Sequence, residues 1–224
     1  MPLSLSFLAP RERLALSVCA VLSLLLLLAA ISGSVALSWS EVLGFITGAA
    51  GVYLTVKNSA WNFPVGLTNN LFFGILFFQS RLYNDFGLQI VYFGLGSWGW
   101  WFWTRGAPDY AERLPIGSAN ARQLLACFAL VPLLTLGLTR LSLLFGGVSP
   151  FWDALTTALS LVAQGLLGRK WIQNWWFWIA ADLVYVPLYV SRGLYLTAAL
   201  YSGFLVLCIW GFRLWRAEWK TKTA

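Results

Sequence analysis

Asp182 is a carboxylate near the centre of the apolar run Trp171–Val190. An ionisable group at that depth in a membrane costs ~2.5–3.5 kcal/mol on insertion scales and normally faces a cavity or a partner. Its company on the helix surface is aromatic. At 100° per residue, Trp171, Trp175, Trp178, Asp182, Tyr185 and Tyr189 fall within roughly 80° of one another. Tryptophan faces attract a cation by up to ~2 kcal/mol when desolvated, so this face suits an aromatic or organic cation. The competing reading is a packed helix interface with Asp182 hydrogen-bonded inside it. Trp171 sits at the end of the run and reads as an interfacial belt residue, as Trp175 also could; Trp178 is too deep for a belt.

A second polar patch lies earlier in the chain. Asn62, Gly66, Asn69 and Phe73 share one face of the run Trp61–Phe78, with Asn70 on its flank. Two adjacent asparagines at mid-span leave amides that need partners, at several kcal/mol if unmet. Helix–helix glue is the alternative to a site. Gln79, Gln89 and Gln164 are further polar candidates, each structural when taken alone. Pro64 and Pro187 interrupt helices near this region, and freed backbone groups are tolerated where they line a cavity. Glu41 and Asp153 stand at the outer starts of their runs and read as structural.

Other chemistries lack their residues. The chain has no histidine, which removes His-ligated metal, haem with a His ligand, and Ser-His or Cys-His nucleophile pairs. Cys19, Cys127 and Cys208 all lie inside apolar runs, and an odd number of such thiols argues against a disulfide framework. No metal, no cofactor and no enzymatic reaction is expected.

The elements that must position these residues are membrane helices. Of 224 residues, 59% are hydrophobic and 10% charged, with a mean hydropathy of +0.73; a soluble domain carries roughly 25% charged residues. Eight spans are predicted: Leu14–Ile31, Trp39–Val56, Trp61–Phe78, Leu82–Trp103, Arg122–Phe145, Trp152–Leu167, Trp171–Val190 and Leu194–Trp215. The net charge of +7 would suggest nucleic acid for a soluble protein, but here the basic residues sit in short loops and report topology. Eight spans place both termini on one side, and 12 of the 15 basic residues fall there, against Arg81, Arg140 and Arg192 opposite. That bias predicts cytoplasmic termini.

An internal repeat organises the chain. At an offset of 112 residues, Glu41–Trp103 lies over Asp153–Trp215 without a gap, with about a dozen identities in 63 positions. Leu82-Tyr83 falls on Leu194-Tyr195, Trp98-Gly99 on Trp210-Gly211, Asn62 on Asn174, and Asn70 on Asp182. Three spans per repeat with one span between them give both repeats the same orientation, a parallel duplication about an axis along the membrane normal. The expected architecture is an all-α polytopic membrane protein of eight transmembrane helices, one plus three-one-three. Its parts are an additional N-terminal helix (1–35), a first repeat (36–105), a linker helix (106–148), a second repeat (149–217) and a cytoplasmic tail (218–224).

Trp175-x-x-Trp178-x-x-x-Asp182 resembles the WxxWxxxN/D motif of the PnuC-type vitamin transporters, and Arg192-Gly193-Leu194-Tyr195-Leu196-Thr197-Ala198 is similar to the loop and helix start that follow it there. The three-one-three duplication is what that family shares with the SWEET sugar transporters, and the resemblance covers nearly the whole chain beyond the leading helix. It implies facilitated diffusion of nicotinamide riboside across a bacterial cytoplasmic (inner) membrane, with intracellular phosphorylation trapping the product for NAD biosynthesis. The candidate substrate-binding set is then Trp175, Trp178, Asp182, Asn62, Asn69, Asn70, Phe73, Tyr185, Tyr189, Gln89 and Gln164. Thiamine or a sugar on the same fold, with or without proton coupling, is the alternative, and a homo-oligomer is compatible with such a chain. The partners are a small molecule and the bilayer, not nucleic acid.

Overall fold

The computed structural model describes residues 28, 31–33, 39–79, 83–105, 114–144, 150–191 and 195–223. Among them are seven helices: α1 (Trp39–Val56), α2 (Asn62–Gln79), α3 (Tyr83–Thr104), α4 (Ala121–Leu144), α5 (Pro150–Gly168), α6 (Asn174–Ser191) and α7 (Tyr195–Thr223). No strand occurs among the described residues; Gly117 and Trp171 form one isolated bridge. The expected leading span Leu14–Ile31 lies almost wholly outside the described residues.

Two helices differ from expectation. α6 starts at Asn174 rather than Trp171, because Trp171–Gln173 is spent on a turn. Ile172 N donates to Gly117 O, Gly117 N donates to Lys170 O, and the Gln173 side chain accepts from Ala119 N at 2.9 Å. α7 runs on to Thr223 because the polar stretch after Trp215 keeps helix formers such as Ala217, Glu218 and Lys220. Hydropathy marks where the apolar part stops, not where the helix stops.

Helices adjacent in sequence pack against each other from α1 to α3 and from α4 to α7; α3 also packs on α5, and α1 on α7. Large apolar side chains cover the outside. Leu125, Leu133 and Leu136 of α4 are 70%, 67% and 64% exposed, and water does not tolerate apolar patches of that extent on a monomer. α4 is fixed at its start by a reciprocal cap, in which Gln123 N donates to Asn120 Oδ1 and Asn120 N to Gln123 Oε1.

The turns after α1 and α5 are alike. Asn58 and Lys170, 112 residues apart, both take a left-handed backbone (φ 54° and 58°). The Asn62 amide donates to Ser59 O and the Asn174 amide to Trp171 O, each at 2.7 Å. Helices end with carbonyls that lack intrahelical partners, and here tryptophans from another helix meet them. Trp103 Nε1 of α3 donates to Leu167 O of α5 at 3.1 Å, and Trp215 Nε1 of α7 to Thr55 O of α1 at 3.0 Å.

Around these bonds Phe63 meets Trp103 edge-on (5.0 Å, 84°), Trp175 meets Trp215 edge-on (5.4 Å, 88°), and the two acceptor-bound tryptophans lie 6.0 Å apart. The rings need space beside α3 and α7. A Cβ on Gly99 would lie 2.5 Å from Phe63, and one on Gly211 would lie 2.4 Å from Trp175. Gly211→Ala is therefore expected to add about 1–3 kcal/mol of packing strain and to lower the thermal midpoint of the detergent-purified protein. An unchanged midpoint would show that Trp175 can move aside.

Candidate functional site

Asn70 and Asp182 are each the ninth residue of an 18-residue helix, α2 and α6. Asp182 is 4% exposed, and its Oδ2 has no hydrogen-bond partner. Cys208 of α7 lies against the carboxylate. Trp178, one turn before it and half-buried, bridges the aromatic cluster around Trp175 and Trp215 and a second apolar cluster formed by α5 and α6.

One turn beyond Asp182, Tyr185 and Tyr189 stack at 5.5 Å and 7°. Tyr185 and Tyr189 lie 4.6 and 5.0 Å from Tyr201 of α7. Tyr185 also reaches the hydroxyls of Thr156 and Ser160 on α5, and Tyr92 of α3 reaches Ser160. Four helices thus converge on the carboxylate. The residues missed from sequence are Tyr92, Thr156, Ser160, Tyr201 and Cys208. One signal was available for two of them: Tyr201 stands 112 residues after Gln89, and Ser160 shares the buried face of α5 with Thr156.

The remaining predicted residues separate. Trp175 is 1% exposed, seated on Gly211 and Trp215, at the tied end of the molecule rather than beside Asp182. Asn62 caps its own helix start, seven residues from Asn69, or about 10 Å along the axis. The Asn69 amide donates to Gly44 O of α1 at 2.6 Å and to Thr47 Oγ1 at 3.1 Å; Phe73 sits against the same Gly44 and 6.3 Å from Phe45. Asn70, Gln89 and Gln164 are half-buried, and their side chains make no hydrogen bond among the described residues. The side chain of Gln79 lies outside the described set.

Positive charge stays away from this region. Among the described residues, no Lys or Arg stands on the faces around Asp182. Lys170, buried at the turn before α6, holds its Nζ 4.3 Å from the ring centre of Trp103. Arg169 lies over Trp98 and Trp171.

Residues 38–217 match the family described as nicotinamide mononucleotide transporter. The nicotinamide riboside transporter PnuC of Escherichia coli (strain K12) is 28% identical over 209 residues, covering 82% of this chain and 87% of that protein. The riboflavin/roseoflavin transporter RibM of Streptomyces davaonensis is 28% identical over 182 residues, covering 79% and 84%. The crystal structure of the vitamin B3 transporter PnuC superposes with a TM-score of 0.68 at 23% identity, over 90% of this chain and 92% of that one, which establishes a shared fold.

The two asparagines predict different outcomes. Asn69→Ala removes both bonds to α1 and is expected to lower the thermal midpoint, each interhelical bond contributing about 0.6–1.7 kcal/mol. Asn70→Ala is expected to leave it unchanged. The reverse order would contradict this assignment of the two amides.

Proposed function

We propose, from the premise that the chain belongs to the nicotinamide mononucleotide transporter family, that it carries unphosphorylated nicotinamide riboside across the membrane. The observation that carries this reading is the buried Asp182 carboxylate, one oxygen unpartnered, one helical turn from Trp178 and with no cation facing it. The riboside presents a pyridinium cation, a carboxamide and a ribose. The pyridinium suits the carboxylate and the tryptophan face. The carboxamide and the sugar hydroxyls suit the half-buried Asn70 amide and the tyrosine hydroxyls.

The mononucleotide in the family's description fits less well. Its phosphate needs charged donors, and those on the described faces are absent. The name carried by the Escherichia coli relative agrees with the riboside. Riboflavin is the second reading, favoured by the Streptomyces relative's name and by the run of tyrosines on α6 and α7. A neutral flavin would not depend on Asp182, and so the two readings separate by mutation.

A parallel duplication with an added leading helix, eight spans in all, supplies the transport geometry. The left-handed turns, asparagine caps and tryptophan–carbonyl bonds that recur 112 residues apart support it. Two halves of the same orientation share a site near the midplane and can rock about it. In this reading the first repeat is 36–105, the linker helix 106–148 and the second repeat 149–217, with both termini in the cytoplasm. Transport is facilitated diffusion trapped by phosphorylation inside. Asp182 has no second carboxylate or histidine beside it to complete a proton relay.

Titration calorimetry on the purified protein tests the substrate. The riboside should bind, the mononucleotide should not, and Trp178→Ala and Asp182→Ala should each weaken the riboside at least tenfold, about 1.4 kcal/mol, with the fold kept. Equal binding by parent and both variants would refute the site. Asn70→Ala should weaken binding too, and its effect should not add to that of Asp182→Ala, because both touch one ligand. In proteoliposomes, uptake should stop at electrochemical equilibrium with or without a proton or sodium gradient, once membrane voltage is controlled. Accumulation beyond that point would contradict uniport.

A further inference from the structure

Gly66 and Trp178 stand 112 residues apart, so the position that carries the deepest tryptophan of α6 carries no side chain on α2. Gly66 nevertheless points inward. With Asn62 set at 0°, the buried or half-buried Asn69, Phe73, Asn70 and Phe63 span about −20° to 100°, and Gly66 falls at about 40°, in the middle of the arc. Thr68, Leu71 and Ile75 are exposed on the other side.

A position at the middle of a buried face normally touches its neighbours. Gly44, Gly99 and Gly211 do so, an added Cβ meeting a ring at 2.9, 2.5 and 2.4 Å. A Cβ on Gly66 meets no atom within 4 Å. The backbone there looks onto open space inside the bundle, one turn from Asn70, just as Trp178 stands one turn from the unpartnered Asp182 oxygen.

We infer that Gly66 is a specificity-determining position, and that the space in front of it receives the ribose of a substrate whose cationic ring lies on Trp178. This rests on the reading that Trp178 and Asp182 hold the substrate. It deepens that reading by assigning the two parts of the ligand to the two halves of the protein. Trp178 fills its half and grips the flat ring. Gly66 leaves its half empty for the bulkier, non-planar sugar, within reach of the Asn70 amide. The size of residue 66 then sets the size of the ligand.

The test is a size series, Gly66→Ala and Gly66→Leu, titrated with nicotinamide riboside and with N-methylnicotinamide, the same pyridinium and carboxamide without the ribose. Both variants should melt at or above the parent, since a helical glycine gains from a side chain that has room. Gly66→Leu should raise the riboside Kd at least tenfold and leave N-methylnicotinamide within threefold, with Ala between. Equal loss for both ligands, no loss for the riboside, or unfolding of both variants would each overturn the inference. If N-methylnicotinamide does not bind the parent, the riboside series decides alone. If the parent binds neither pyridinium but binds riboflavin, the proposed substrate fails while Gly66 is still tested: a size-graded loss of riboflavin upholds the position, and a flat series overturns it.

Discussion

Two backbone carbonyls organise this molecule. Thr55 O and Leu167 O, at the ends of α1 and α5, are taken by the indole N–H groups of Trp215 and Trp103. A buried helix end without such a partner would forfeit hydrogen bonds that the low-dielectric surroundings make costly. Because each indole comes from the other half of the chain, satisfying the carbonyls also ties the halves together. The rest follows from holding four large rings in one place: glycine at 99 and 211, edge-on ring pairs, and left-handed turns at Asn58 and Lys170. Trp175 is committed to that packing, although it shares a helix face with Asp182.

The halves match where they are tied and differ where a ligand would sit. At mid-depth Asn70 faces the role of Asp182, Phe73 that of Tyr185, Gln89 that of Tyr201 and Gly66 that of Trp178. A cationic substrate explains the difference. One buried carboxylate already carries a large insertion cost, and a second would add to it, whereas an amide on the opposite wall supplies donors and an acceptor without charge. Symmetry serves the scaffold and asymmetry serves the ligand.

Helix positions were legible because each apolar run has to end where the chain meets water or a turn. Trp39–Val56 is found with the expected bounds, and most other ends shift by one or two residues. Where the reading erred, a specific interaction intervened. Gln173 and Gly117 claim the residues expected to begin α6, and α7 continues in polar residues that hydropathy does not score as a span. Asp182, Trp178 and Asn70 stood out because polar or aromatic groups at such depth are rare. Tyr92, Ser160 and Tyr201 did not, since nothing in a single helix indicates which faces the fold will bring together. The contrast between Asn69 and Asn70 was likewise hidden: adjacent amides point 100° apart, and only the packing of α1 decides which one is consumed.

The most direct measurement is the structure of the protein bound to nicotinamide riboside. The account predicts ligand density at mid-membrane, with the pyridinium ring in contact with Trp178, its charge beside Asp182, and the ribose toward α2. Density instead in the groove between α3, α4 and α5, or at the basic cytoplasmic end of α7, with Trp178 and Asp182 untouched, would contradict it.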